Sequence, residues 1–218
     1  MKSEIVNQGK NLLALLALGA LLAACGGSFQ TGGDISQGRS AMFAGNYQSA
    51  LSYFQSAAQT DPNYIWGAQL REGTLSFLGR GQYLNGQYEA ARATLQKAVA
   101  QGEGGDNNLA LARLYLGLTQ ARLGDRQTGL REIESGTKGV INFLTYIQQN
   151  FMYSYGQYWD PGGAIRNAAN AILAMIASGS FEWSTLISNG EALGLSFERE
   201  ADQAQRDQEQ QQQMEQRR

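Results

Sequence analysis

Hydrophobic positions along the chain recur at intervals of three and four, punctuated by glycine. In "GRSAMFAGNYQSALSYFQSAAQTDP", Gly45 is followed by Tyr47, then Ala50, Phe54 and Ala57, and Asp61-Pro62 closes the segment. Residues three and four apart share one helical face, so Ala50, Phe54 and Ala57 predict a helix that packs on that side. The two alanines admit a close neighbour, and Phe54 fills the gap between them. Gly45-Asn46 marks a turn, and Gly38 to Ala44 predicts a preceding helix. The same intervals return at Gly86, Tyr88, Ala91, Leu95 and Ala98, with Gly79 standing before Gly86 as Gly38 stands before Gly45. A third, weaker copy runs Gly124, Arg126, Gly129, Ile133 and Gly136, preceded by Gly117. Gly129 and Gly136 replace the alanines there. Each costs a helix ~1 kcal/mol relative to Ala, which predicts a short or kinked second helix in that copy.

The pattern then changes. "WDPGGAIRNAANAILAMIASG" predicts a helix with Asp160 as N-cap and Pro161 at its first position, an apolar face from Ile165 to Ile176, and Gly179 as its stop. Trp183, Leu186, Ile187, Gly190, Leu193, Gly194 and Phe197 predict a second helix from near Ser180. After Glu198 the apolar residues stop, and the polar tail 201–218 reads as a fraying helix extension, as disorder, or as a partner-binding tail. Between copies and cap, Phe143, Tyr146, Phe151, Tyr153, Tyr155, Tyr158 and Trp159 crowd together. They either fill an irregular junction or present a recognition surface, since Tyr and Trp offer large amphipathic contact area. No strand is expected between Gly38 and Gly136.

The three copies in phase resemble the tetratricopeptide repeat, a helix–turn–helix unit of about 34 residues. The resemblance covers roughly residues 31–143. It implies an all-α fold, a solenoid of about three helical hairpins closed by a C-terminal capping helix pair. The extra residues between copies fall in "PNYIWGAQ" and "EGGDNN", which read as inter-repeat loops or extended helix ends. The organisation expected is a leader over 1–24, a flexible Gly-rich tether over 25–33, repeats over 34–143, aromatic junction and cap over 144–200, and the tail.

The N-terminal end carries a different signal. The apolar run Leu12 to Ala24 is shorter than the ~20 residues a bilayer span requires, and it follows Lys2 and Lys10 as the h-region of a secretory signal does. Cys25 is the one cysteine of the chain. Leu22-Ala23-Ala24-Cys25 resembles the lipobox of bacterial lipoproteins. That resemblance implies cleavage before Cys25, a lipid on its sulfur and a further acyl chain on its new amine. Two or more chains hold a protein firmly on a membrane surface. Gly26, which is not acidic, points by the same resemblance to the outer membrane, periplasmic face.

Composition narrows the chemistry. The chain has no histidine and a net charge of −2. The missing histidine removes histidine-based general bases. If the one thiol is consumed as a thioether, as the lipobox resemblance implies, free cysteine nucleophiles and most transition-metal sites go with it; no basic run suits nucleic acid. Ser135 and Lys138 form a Ser-x-x-Lys match, but Gly136 disfavours a rigid catalytic helix there. Glu72, Glu89, Glu103, Asp106, Glu132 and Glu134 supply carboxylates, yet none stands in a context that sets two of them to different protonation states. The reading is a non-enzyme without cofactor beyond the covalent lipid at Cys25.

By the repeat resemblance, the first helix of each copy lines a concave groove. Arg39 and Arg80 follow Gly38 and Gly79 at equivalent places, Met42 and Tyr83 match in phase, and Arg122 lies in the first helix of the third copy. If they face inward, the guanidinium groups form a groove for an acidic protein segment or a peptide C-terminus, and replacing Arg80 and Arg122 leaves the melting temperature unchanged. Otherwise they are solvated or pair with carboxylates such as Asp34, Glu72 or Asp125. Two functions follow: an envelope scaffold or assembly adaptor, or a solute-handling component resembling the repeat lipoproteins of TRAP-type transport systems. In the latter, the arginines and the aromatics Tyr153, Tyr155, Tyr158 and Trp159 would hold an organic acid.

Overall fold

A computed structural model describes residues 28–102 and 109–216. The leader 1–24 and Cys25 lie outside the described residues. The chain is all-α. Helix α1 covers 28–43, followed by α2 (Tyr47–Thr60), α3 (Thr74–Leu84), α4 (Tyr88–Gln101), α5 (Ala110–Arg122), α6 (Arg126–Phe151), α7 (Ala164–Ser178) and α8 (Trp183–Gln216). From α2 to α7 each helix packs on the next in sequence, while α8 returns to lie on α5 and α7.

The three copies are built alike down to their turns. Gly45, Gly86 and Gly124 all take positive φ (+77°, +74° and +91°). At each, the glycine N–H bonds the carbonyl three residues back, at 3.0, 2.9 and 3.2 Å, to Met42, Tyr83 and Ala121. The next N–H bonds the carbonyl five back, at 2.8, 2.9 and 3.0 Å, to Ala41, Gln82 and Gln120. This pair of bonds is the Schellman closure, and it ends α1, α3 and α5 identically. Asn46 and Asp125 then cap α2 and α6, each accepting from the N–H three residues on at 3.2 Å.

Within each hairpin a glycine of the first helix meets the large residue of the second. A Cβ on Gly38 would sit 2.4 Å from the Phe54 ring, one on Gly79 2.4 Å from Leu95, and one on Gly117 2.4 Å from the Ile133 nitrogen. The glycines therefore set the helix–helix distance. This explains the third copy, where the sequence predicted a weakened helix. Instead α6 runs 26 residues without interruption. Cβ atoms at Gly129 and Gly136 would fall 2.9 and 2.4 Å from the backbone nitrogens of Ala121 and Leu114. What glycine loses in helix propensity is offset by backbone-to-backbone packing of α5 on α6.

Other expectations change as well. Residues 28–33, read as tether, are helical, and Thr31 is fully buried. A two-residue antiparallel pair, β1 (Ile65–Trp66) with β2 (Glu72–Gly73), occupies the segment between the first two copies where no strand was expected. It replaces loop, not helix. Asp160 is not adjacent to α7: it adopts φ +48°, and its carboxylate reaches forward to the N–H groups of Ile165 (2.8 Å) and Arg166 (3.1 Å). Gly179 ends α7 with φ +65°, as expected. Helix α8 starts at Trp183 and continues through residue 216, so the described part of the polar tail is helical.

Among the described residues two apolar clusters result. Ile35, Met42, Ala50, Phe54, Ala57 and Phe77 form the first, around the first hairpin. A larger one runs from Leu95 and the α5 leucines through Phe143 and Trp159 to Phe197. Helix α8 reaches α5 through its own glycines: Cβ atoms on Gly190 and Gly194 would lie 2.8 Å from Leu118 and 2.7 Å from Tyr115.

Candidate functional site

The arginines aligned by the repeat phase do face one side, and that side holds α8. The Arg80 side chain is completely buried. Its Nη1 meets Glu198 Oε2 at 2.6 Å and its Nη2 meets Glu72 Oε2 at 2.9 Å. Arg39 donates from Nε to the other oxygen of Glu198 at 2.8 Å, and its Nη1 meets Asp202 at 2.7 Å. Arg39 Nη2 also reaches the Glu198 carbonyl at 3.3 Å. One carboxylate of α8, 2 % exposed, thus bridges the equivalent arginines of the first two copies. Arg122 is engaged one step along: its Nη2 pairs with Glu191 at 3.0 Å, and Glu191 also accepts from the Tyr83 hydroxyl. Glu191, Glu198 and Asp202 lie at positions i, i+7 and i+11, one face of α8, and they meet the arginines in reverse repeat order.

Aromatic rings line the same network. The Arg39 guanidinium carbon lies 4.2 Å from the Trp66 ring centroid, and that of Arg80 lies 4.7 Å from Phe77. Trp66 and Glu72 both come from the two-stranded insertion, which accounts for its presence: it delivers one ring and one carboxylate to the arginines. Ser76 donates to Glu72 at 3.1 Å.

Burial decides the electrostatics. It pushes the Glu72 carboxyl above its ordinary 4.5; Arg80 opposes this and Glu198 adds to it. Burial works against the Arg80 charge, but Glu198 and Glu72 more than offset it, and the guanidinium is held above its usual range. Arg80 Nε has no partner among the described residues. A buried ion network of this kind specifies geometry more than it stabilises, because desolvation cancels much of the attraction.

The expected groove residues therefore divide. Arg39 and Arg80 converge on Glu198 and are closed to an external ligand. Their partners include Glu72, as the paired alternative held, but neither Asp34 nor Asp125. Met42 and Tyr83 instead line a cavity of about 400 Å³ with Tyr47, Tyr88, Tyr115 and Leu195. Arg122 stands beside it, Nε 3.5 Å from the Tyr83 hydroxyl. Tyr83 packs its ring 5.5 Å from Tyr88 and 5.4 Å from Tyr115. Burial raises the Tyr83 and Tyr115 hydroxyls well above the ordinary tyrosine range. The Arg122 guanidinium is raised too, chiefly by its bond to Tyr83.

The aromatic junction is mostly packing. Trp159 is fully buried, 4.9 Å from Phe143, and its indole N–H donates to Gln69 at 2.6 Å. Tyr155 stacks on Phe151 at 4.6 Å, Tyr158 packs against the main core, and Tyr153 alone of the four stands fully in solvent. These four do not join the arginines in one pocket for an organic acid.

Sequence reasoning missed Glu191, Glu198 and Asp202, and with them Tyr47, Tyr88 and Tyr115. The signal for the first three was present: acidic residues at i, i+7 and i+11 beside an apolar helix face. Among the described residues, no three or more Asp, Glu, Cys or His side chains are placed to hold a metal ion, and no helix is long and apolar enough to cross a membrane. Compared with models of known families, with curated proteins and with solved structures, the chain matches none.

Proposed function

We propose that this chain is a lipid-anchored adaptor of the bacterial envelope, tethered through Cys25 to the outer membrane and acting by holding a protein partner. The observation that supports the reading is the arginine row. Arg39 and Arg80 stand at equivalent places in the first two hairpins, with Arg122 in the third, and together they hold an acidic helix, the chain's own α8. That helix exemplifies the kind of segment such hairpins accept, while a partner would seat outside the arginines that α8 covers. A surface of that form is suited to protein segments. Repeat proteins commonly use an extended concave face for binding.

The test is chemical cross-linking in intact cells, with identification of the adduct, for the native chain and for Cys25→Ala. The expected result is one envelope protein recovered reproducibly with the native chain and lost when the anchor is lost. Adducts no different from those of an unrelated periplasmic protein would overturn the reading. The mass of the native product tests the anchor separately: Cys25 should carry acyl chains.

The solute-handling reading is kept by a different observation, the tyrosine-lined cavity, which falls within the ~300–1,000 Å³ usual for small-molecule sites.

A further inference from the structure

The cavity lies where the turns after α1 and α3 meet the N-terminal part of α8. Its walls are Met42, Leu84, Ala192 and Leu195 together with the rings of Tyr47, Tyr83, Tyr88 and Tyr115. Ser188 and Glu191 supply further polar atoms at the α8 side. Three features of this lining restrict what fits.

The first is charge. Glu191 is the carboxylate in the wall, and it is already held by Arg122 at 3.0 Å and by the Tyr83 hydroxyl. A cationic ligand would compete with Arg122 for Glu191, and an anionic ligand would compete with Glu191 for Arg122. The pair makes the site neutral and favours a neutral ligand.

The second is hydrogen bonding. Tyr115 is only 3 % exposed, yet no hydrogen bond to its hydroxyl is formed by the described residues, although the side chain lines the cavity. Each tyrosine hydroxyl both donates and accepts. A wholly apolar occupant would leave the Tyr115 hydroxyl buried and unpaired, which is unfavourable. A ligand with hydroxyl groups of its own would pair it, and Tyr47, Tyr88 and Ser188 offer further hydroxyls around the mouth.

The third is shape. Ring faces and aliphatic side chains alternate with these hydroxyls, so the ligand needs an apolar face as well as a polar edge. A pyranose has both: axial C–H groups on its faces and hydroxyls around its rim. The lining area offers room for more than one such ring within about 400 Å³.

We infer that the tyrosine-lined cavity between the first two hairpin turns and α8 is a binding site for a neutral saccharide. This narrows the solute-handling reading from an organic acid to a sugar. It stands whether or not the adaptor reading holds, because its test needs no partner protein.

The experiment is saturation-transfer NMR with calorimetric titration on the full chain, in a detergent without a sugar headgroup. The probes are maltose, cellobiose and N,N′-diacetylchitobiose, with choline and benzoate as charged comparators, each to about 50 mM so that a Kd near 1 mM is seen. At least one disaccharide should bind. Tyr115→Phe, which keeps the ring and removes the hydroxyl, should weaken that binding about fivefold to tenfold. Leu195→Trp, which fills the cavity, should abolish it. No disaccharide binding, stronger binding of choline or benzoate, or sugar binding that survives Leu195→Trp would each overturn the inference.

Discussion

Replacing Arg80 by Ala should destabilise the fold severely, against the sequence-based expectation that a groove arginine is dispensable. The side chain is fully buried between two carboxylates, at 2.6 Å from Glu198 and 2.9 Å from Glu72. Its removal leaves Glu72 with Ser76 as its remaining side-chain hydrogen-bond donor and Glu198 with Arg39 alone. The stacking of the guanidinium on Phe77 is lost too. Breaking a buried pair by deleting one member typically costs about 3–5 kcal/mol. For a chain of this size each kcal/mol moves the melting temperature by about 2–4 °C, so a fall of roughly 6–20 °C follows. Urea titration followed by circular dichroism measures it. The internal reference is Glu191→Ala, which breaks a partly exposed pair with Arg122 and the bond from the Tyr83 hydroxyl and should cost about 1–2 kcal/mol. Replacing Arg80 and Glu72 together by Met should recover part of the loss, since no carboxylate is then orphaned at that position. A cost for Arg80→Ala no larger than that of Glu191→Ala would refute the reasoning.

Two further outcomes are expected. Gly136→Ala should destabilise by about 1–3 kcal/mol despite the better helix propensity of Ala, because its Cβ would lie 2.4 Å from the Leu114 nitrogen; an increase in melting temperature would contradict the packing argument. Glu72 should make stability depend on pH in a defined sense. Its folded value lies above the unfolded value near 4.5, so its contribution is full below that value and is lost as the pH rises through the folded one. The unfolding free energy of the native chain relative to Glu72→Gln should therefore decline from about pH 4.5 upward, and a difference that grows with pH would refute the assignment.

The repeats were legible because they rest on local spacing. Gly38 against Phe54, Gly79 against Leu95 and Gly117 against Ile133 are the same contact made three times, and the intervals announce it. The equivalence of Arg39 and Arg80 was legible for the same reason. What faces them was not, since Glu198 is distant in sequence and its helix reads by its apolar residues as a cap. The third-copy glycines were misread because propensity is a property of one helix, whereas close approach is a property of two. Glu72 was among the carboxylates expected to pair with the arginines, and it does pair with Arg80; Trp66 lay in an insertion that looked like loop, and its place beside Arg39 was not legible. The cavity tyrosines come from four helices, and no spacing rule joins Tyr47 and Tyr88 to Tyr115.

The account depends on α8 being seated along the arginine face of the repeats. Amide hydrogen exchange of the full chain, read by mass spectrometry, tests this directly. Residues 186–204, which include Leu186, Leu193, Phe197 and Glu198 in the interior, should be protected to the same degree as α5. The extension beyond Gln208 is largely exposed and should exchange fast. Exchange of 186–204 as rapid as that of the extension would contradict the account.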